Sequence, residues 1–110
     1  MFKDKRGIIT DLIVTPDYSI THITFTVGAV RGNHFHKETT QKDFILKGEL
    51  EYAQDDERGK VRQGETLEHK PGVKHSYRAI RPSEMISICW GVRKGEDYEK
   101  DTYRLDKPML

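Results

Sequence analysis

Short apolar runs alternate with turn residues along the chain, and nowhere do apolar positions keep the three-to-four-residue spacing of an amphipathic helix. Gly7 to Val14 and Tyr18 to Val27 are rich in Ile, Thr, Val and Phe, whose branched or flat side chains suit a pleated surface. Pro16 and Asp17 break the run between them, which predicts an opening hairpin. Phe44 to Ala53 reads as one longer strand with Gly48 inside it, and a glycine in that setting marks a bulge or a corner where a sheet bends. The acidic stretch Gln54 to Gly59 predicts a solvated hairpin loop. Further strands are predicted around Leu67, over Ser76 to Ile80 and over Glu84 to Val92, separated by the turn signals Gln63 to Glu65, Pro71 to Lys74 and Arg81 to Ser83. About eight to ten short strands at this spacing predict an all-β, antiparallel barrel. Lys94 to Leu110 is polar, carries Tyr98, Tyr103 and Leu105, and predicts an extended C-terminal arm lying on the barrel or on a second subunit.

Composition narrows the function. A chain of 110 residues has room for one domain around one core. Its 19 Lys and Arg are balanced by 18 Asp and Glu, so there is no basic excess to drive binding to nucleic acid. No apolar run approaches the roughly 18 residues of a membrane span. Met1 to Arg6 is charged and lacks the apolar stretch of a secretory leader, and the single cysteine, Cys89, permits no intrachain disulfide. Both point to a cytoplasmic location. The apolar neighbours Ile86, Ile88 and Trp90 predict that Cys89 is a buried strand residue rather than a nucleophile.

The candidate chemistry sits in the histidines. His34 and His36 are two apart, a spacing that turns both imidazoles to one face of a strand. His75 and Tyr77 share that spacing after the Pro71-Gly72 turn, so neighbouring strands would bring three imidazoles and a phenol to one cavity. Imidazole ligates Zn, Fe, Ni and Mn and also moves protons near neutral pH. A lone His-x-His is common on surfaces; here it sits in a glycine frame. Gly28 stands six residues before His34, Gln41 five after His36, and Gly48 seven after Gln41.

That frame, residues 28–48, resembles the first cupin motif, and Gly64, Pro71, Gly72 and His75, within residues 64–79, resemble the second. The resemblance implies a single-domain cupin, a double-stranded β-helix or jelly-roll barrel over residues 1–110. It also implies one divalent metal ion (Zn, Ni, Mn or Fe) on His34, His36, Gln41 and His75, with no organic cofactor. The chain departs from the cupin pattern at Gln41, where glutamate is usual, at Lys70, where proline is usual, and at Ala79, where asparagine is usual. A carboxamide brings no charge, so such a site holds a divalent ion less tightly. Glu38 could replace it only if the backbone turned after His36, whereas Thr39-Thr40 predicts a continued strand. His22 and His69 fall outside the frame and are read as surface or structural residues.

Arg31 to Lys37 further resembles the Arg-Gly-x-His-x-His-Lys segment of cupins acting on sugar nucleotides: the thymidine-diphosphate-sugar 3,4-ketoisomerases and the zinc-bearing cupin domain of capsular-polysaccharide reductases. Asp4, Arg6 and Gly7 are similar to a strand of the same enzymes and of the 3,5-epimerases, and Glu96 to Leu105 to their acidic, tyrosine-bearing tail. The resemblance implies a nucleotide sugar or related keto sugar as ligand. Protons beside the carbonyl of a 4-keto sugar are acidified, so isomerisation or epimerisation needs a base, a donor for the enolate oxygen and a route for reprotonation. His34 or His36 would be base and acid, His75 or Tyr77 would support the oxygen, and Arg6, Arg31 or Lys37 would pair with the diphosphate. Two alternatives stand beside this: a metal-dependent cupin acting on another small molecule, and a non-catalytic sensor. A homodimer is expected, because an open N-terminal edge strand exposes unpaired backbone groups.

Overall fold

The computed structural model describes residues 1–91 and 101–110; the stretch 92–100, with Tyr98 and the first part of the expected arm, lies outside the described residues. The strands are β1 (Phe2–Asp4), β2 (Gly7–Val14), β3 (Tyr18–Phe25), β4 (Val30–Phe35), β5 (Thr39–Lys47), β6 (Glu49–Gln54), β7 (Glu57–Arg62), β8 (Thr66–His69), β9 (His75–Ala79), β10 (Ser83–Gly91) and β11 (Tyr103–Arg104). They form two antiparallel sheets, one in the order β1-β2-β3-β10-β5-β8 and the other β11-β4-β9-β6-β7. Facing sheets of this kind make the double-stranded β-helix that the sequence predicts. No helix among the described residues is long and apolar enough to cross a membrane.

Two local expectations change. The strand predicted over Phe44 to Ala53 is two strands, β5 and β6, which belong to different sheets. Gly48 makes the corner at φ 90°, and a Cβ there would lie 2.2 Å from Ser83 Oγ and 2.5 Å from the Pro82 carbonyl oxygen. The predicted loop over Gln54 to Gly59 contracts to a turn at Asp55 and Asp56, because Glu57, Arg58 and Gly59 pair with Gln54, Ala53 and Tyr52. The Tyr52 ring lies over Gly59, and its hydroxyl donates to Glu57 at 2.6 Å. These cross-strand contacts outweigh the local charge. From the arm, Tyr103 and Arg104 pair with Phe35 and His34 on β4.

The inward rows explain where a cavity can form. On β5, Thr39, Gln41, Asp43 and Ile45 are buried; on β10, Ser83, Met85, Ser87 and Cys89 are buried. Cys89 therefore takes the buried strand position expected of it. Phe25, Ile45, Leu50, Val61, Tyr77, Ala79 and Met85 pack together as the apolar core. Toward the other end, the inward positions turn polar.

Candidate metal and ligand site

Strands β4 and β9 pair with Arg31 opposite Tyr77, Gly32 opposite Ser76 and His34 opposite His75. The register shifts between Gly32 and His34, and Asn33, at φ 56°, is the extra residue. Strict alternation would send Arg31 and His34 to opposite faces; the bulge turns both into one cavity of about 480 Å³. His36 follows the end of β4, and its ring centroid lies 5.0 Å from that of His34 and 5.4 Å from that of His75, with 4.6 Å between His34 and His75. One ligating nitrogen from each of the three rings lies within 4.8 Å of the others. Sequence spacing thus placed the three histidines together correctly.

Their hydrogen bonds fix which nitrogens carry lone pairs. His75 Nδ1 donates to the Val73 carbonyl at 3.2 Å, and its Nε2 is buried with no hydrogen-bond partner among the described residues. Burial, with His69 and His34 alongside, pushes the His75 pKa well below the usual imidazole value, so the ring is neutral. His36 Nδ1 donates to the Asp101 carbonyl at 3.0 Å, so in the neutral form of the ring an Nε2 lone pair meets Gln41 Oε1, 3.1 Å away. Gln41 cannot turn its amide to relieve this. Its NH2 already donates to both carboxylate oxygens of Asp43, at 3.1 and 3.0 Å. Two lone pairs that face each other require a proton or a cation. The three imidazoles of His34, His36 and His75 could hold a divalent metal ion, and Gln41 Oε1 beside His36 would be a further neutral oxygen donor.

Beneath these donors, Asp43 is fully buried and also accepts from the Tyr77 hydroxyl at 2.5 Å and from His69 Nε2 at 3.1 Å. Gln54 donates to His69 Nδ1 at 3.1 Å, which leaves the His69 proton on the nitrogen facing Asp43. The His69 ring stacks on His75 with centroids 4.0 Å apart, so it is a structural residue, deep in the barrel. Burial, together with Asp43, raises the Tyr77 pKa well above the usual phenol value. Tyr77 lines the cavity, but its proton is held by Asp43. His22, the other histidine outside the frame, pairs with Glu84 at 2.9 Å.

Asp101 is a functional neighbour that sequence reasoning missed. Besides its carbonyl on His36, its carboxylate accepts from the amides of Lys37, Glu38 and Thr39 and from the Thr39 hydroxyl, at 2.8 to 3.1 Å. Burial opposes the charge, but these donors hold the carboxyl below its usual pKa. They also bend the chain at Lys37 and Glu38, so the expected continuous strand through Thr39-Thr40 is broken and the Glu38 side chain is exposed. The three expected ligand-binding cations separate. Arg6 lines the cavity but is bound to Asp4 at 2.8 Å, Arg31 is buried in the cavity wall, and Lys37 is exposed with Nζ 4.3 Å from the Tyr103 ring centroid.

Residues 21–90 match the family described as the cupin domain. A curated relative, the UDP-2-acetamido-2,6-beta-L-arabino-hexul-4-ose reductase of Pseudomonas aeruginosa, is 24% identical over 112 aligned positions, covering 94% of this chain and 30% of that protein. The chain thus spans about a third of its relative. Among solved structures, the capsular polysaccharide assembling protein CapF of Staphylococcus aureus superposes with a TM-score of 0.77 at 25% identity, over 97% of this chain and 32% of that one. An oxalate decarboxylase variant of Bacillus subtilis gives 0.79 at 21% identity, over 94% and 29%.

Proposed function

The chain belongs to the cupin family, and from that premise we propose that its cavity holds a divalent metal ion, binds a keto sugar or nucleotide sugar, and moves a proton beside the ligand's carbonyl. The observation that carries this is the convergence of three imidazoles, with His75 Nε2 lacking a hydrogen-bond partner among the described residues and His36 Nε2 facing Gln41 Oε1. A bound divalent ion supplies Lewis acidity, which acidifies the C–H beside a coordinated carbonyl. The chain's own residues hold the geometry. Val73 and Asp101 lock the tautomers of His75 and His36, and Asp43 locks the Gln41 amide. His34 is the least buried of the three rings and is the imidazole best placed to exchange a proton with the ligand when no metal occupies it. Tyr77 acts in this reading by holding Asp43 in place.

The likeness to a hexulose reductase supports the sugar-nucleotide class. A cytoplasmic homodimer joined through the free edge of β1 belongs to the same proposal, and a monomeric mass at micromolar concentration would remove the dimer.

Two measurements test the function. Purified protein should carry, or be thermally stabilised by, one of Zn, Ni, Mn or Fe. With a 4-keto-6-deoxy sugar nucleotide in deuterated water, it should place deuterium beside the carbonyl, and His34→Ala or His36→Ala should slow this by about 10²-fold or more. Metal uptake without exchange across a panel of keto sugars would leave a metal cupin for another small molecule or a binding module. Neither uptake nor exchange would end the reading.

A further inference from the structure

Arg31 is only 8% exposed and lines the same cavity as the histidines. Its Nη2 makes one long hydrogen bond, 3.3 Å to the Thr24 carbonyl, and its guanidinium carbon lies 5.5 Å from the Phe25 ring centroid. Among the described residues the buried Nε–H has no acceptor, and no carboxylate lies within 4.0 Å of the guanidinium. Arginine stays charged in proteins, and a buried guanidinium with neither an anion nor a full set of acceptors is a costly arrangement that a folded chain keeps only where something completes it. Arg6 does not share the task, because Asp4 engages it through both Nε and Nη2, at 2.9 and 2.8 Å.

We infer that Arg31 is the seat of a carboxylate carried by the ligand itself, so that the cavity takes a sugar acid whose carboxylate pairs with Arg31 while an oxygen function meets the three imidazoles. This deepens the proposal of a sugar-class ligand and rests on it. The Asn33 bulge puts both ends on one wall: Arg31 and His34 face inward opposite Tyr77 and His75, two residues apart on β9, roughly 7 Å of strand. A six-carbon acid reaches between two such groups better than a two-carbon one. Charge selects an anion. With Arg6 engaged by Asp4, the Arg31 guanidinium calls for an anion; Arg104 also lines the cavity, so the fork of Arg31 rather than the charge count favours a carboxylate. A planar carboxylate also matches the planar donor edge of arginine.

The test is calorimetric titration of the full chain, supplied with the metal it retains, using glucuronate, galacturonate, glucose, glucose 6-phosphate and UDP-glucose. The uronates should bind at least tenfold more tightly than glucose. Arg31→Met, close in volume, should erase that preference, and Arg31→Lys, which keeps charge without the fork, should restore only part of it. Circular dichroism and metal content establish that each variant is folded with its site assembled, and Arg31→Lys carries the test should Arg31→Met fail to fold. Equal binding of glucose and the uronates, a preference surviving Arg31→Met, or no binding by any of the five would overturn the inference. Binding of UDP-glucose or glucose 6-phosphate alone would overturn it while sparing the sugar-nucleotide proposal. Uronate binding without deuterium exchange on keto sugars would do the reverse.

Discussion

The two halves of the barrel interior are built on the same strands and held by different forces. Along β9, His75 occupies the polar half, and Tyr77 and Ala79 lead into the apolar one; along β5, Thr39, Gln41 and Asp43 precede Ile45. In the apolar half, Leu50, Met85, Ile45 and Ala79 are between 0% and 2% exposed and satisfy each other by contact alone. In the polar half, hydrogen bonds run through Gln41, Asp43, Tyr77, His69 and Gln54, and stop at the Nε2 of His75 and the Nε of Arg31. The first half is complete by itself. The second leaves those two atoms without a hydrogen-bond partner among the described residues.

Four measurements press on that difference. Leu50→Ala should cost about 2 to 5 kcal/mol in denaturant unfolding, the range for a fully buried leucine, while the folded fraction takes up metal as the parent does. A parallel loss of metal affinity would erase the distinction between the halves. His75→Ala should lower metal affinity beyond about a hundredfold in a chelator competition, more than changes behind a ligand usually cause, yet destabilise the metal-free protein less than Leu50→Ala does. Among the described residues its Nε2 has no hydrogen-bond partner to lose.

Asp43→Asn should weaken metal binding by about 10- to 100-fold, because the anchor that turns Gln41 Oε1 toward His36 is gone. It should also let Tyr77 ionise at lower pH in an ultraviolet titration, since Asp43 helps hold that phenol protonated. An unmoved titration would show that Asp43 does not govern the polar half. Asp101→Asn keeps one acceptor and should cost about 1 to 2 kcal/mol. The folded Asp101 carboxyl lies below 3.8, so as pH falls the unfolded chain takes up this proton first. The stabilisation is present above about pH 4 and disappears as pH drops through the folded value, and Asp101→Asn should flatten the acid limb of the stability curve.

The sequence reveals what repeats at short range and hides what depends on a partner strand. Alternation exposed the β2–β3 hairpin, β8, β9 and β10, and the two-residue spacing of His34 and His36 exposed the histidine cluster, because period two is imposed by the backbone itself. The division of Phe44 to Ala53 between two sheets was not legible, since Gly48 marks a bend but not its angle. Nor was the bulge at Asn33, although Gly32-Asn33, two residues that tolerate positive φ, was its signal. His69, read as a surface or structural residue because it lies outside the glycine frame, is structural, and its depth had no local signal because its register opposite Gln41 belongs to another strand. Asp101 had no local signal; its contacts lie 62 to 65 residues away.

Those long-range contacts of Asp101 carry a consequence for the order of biosynthesis. The three histidines and Gln41 all precede residue 101 in the chain, so the carbonyl that sets the His36 tautomer is the last part of the site to be made. The bend at Lys37 and Glu38 likewise waits for the Asp101 carboxylate. A truncation just before Asp101 would therefore leave the three histidines present and the His36 tautomer unset.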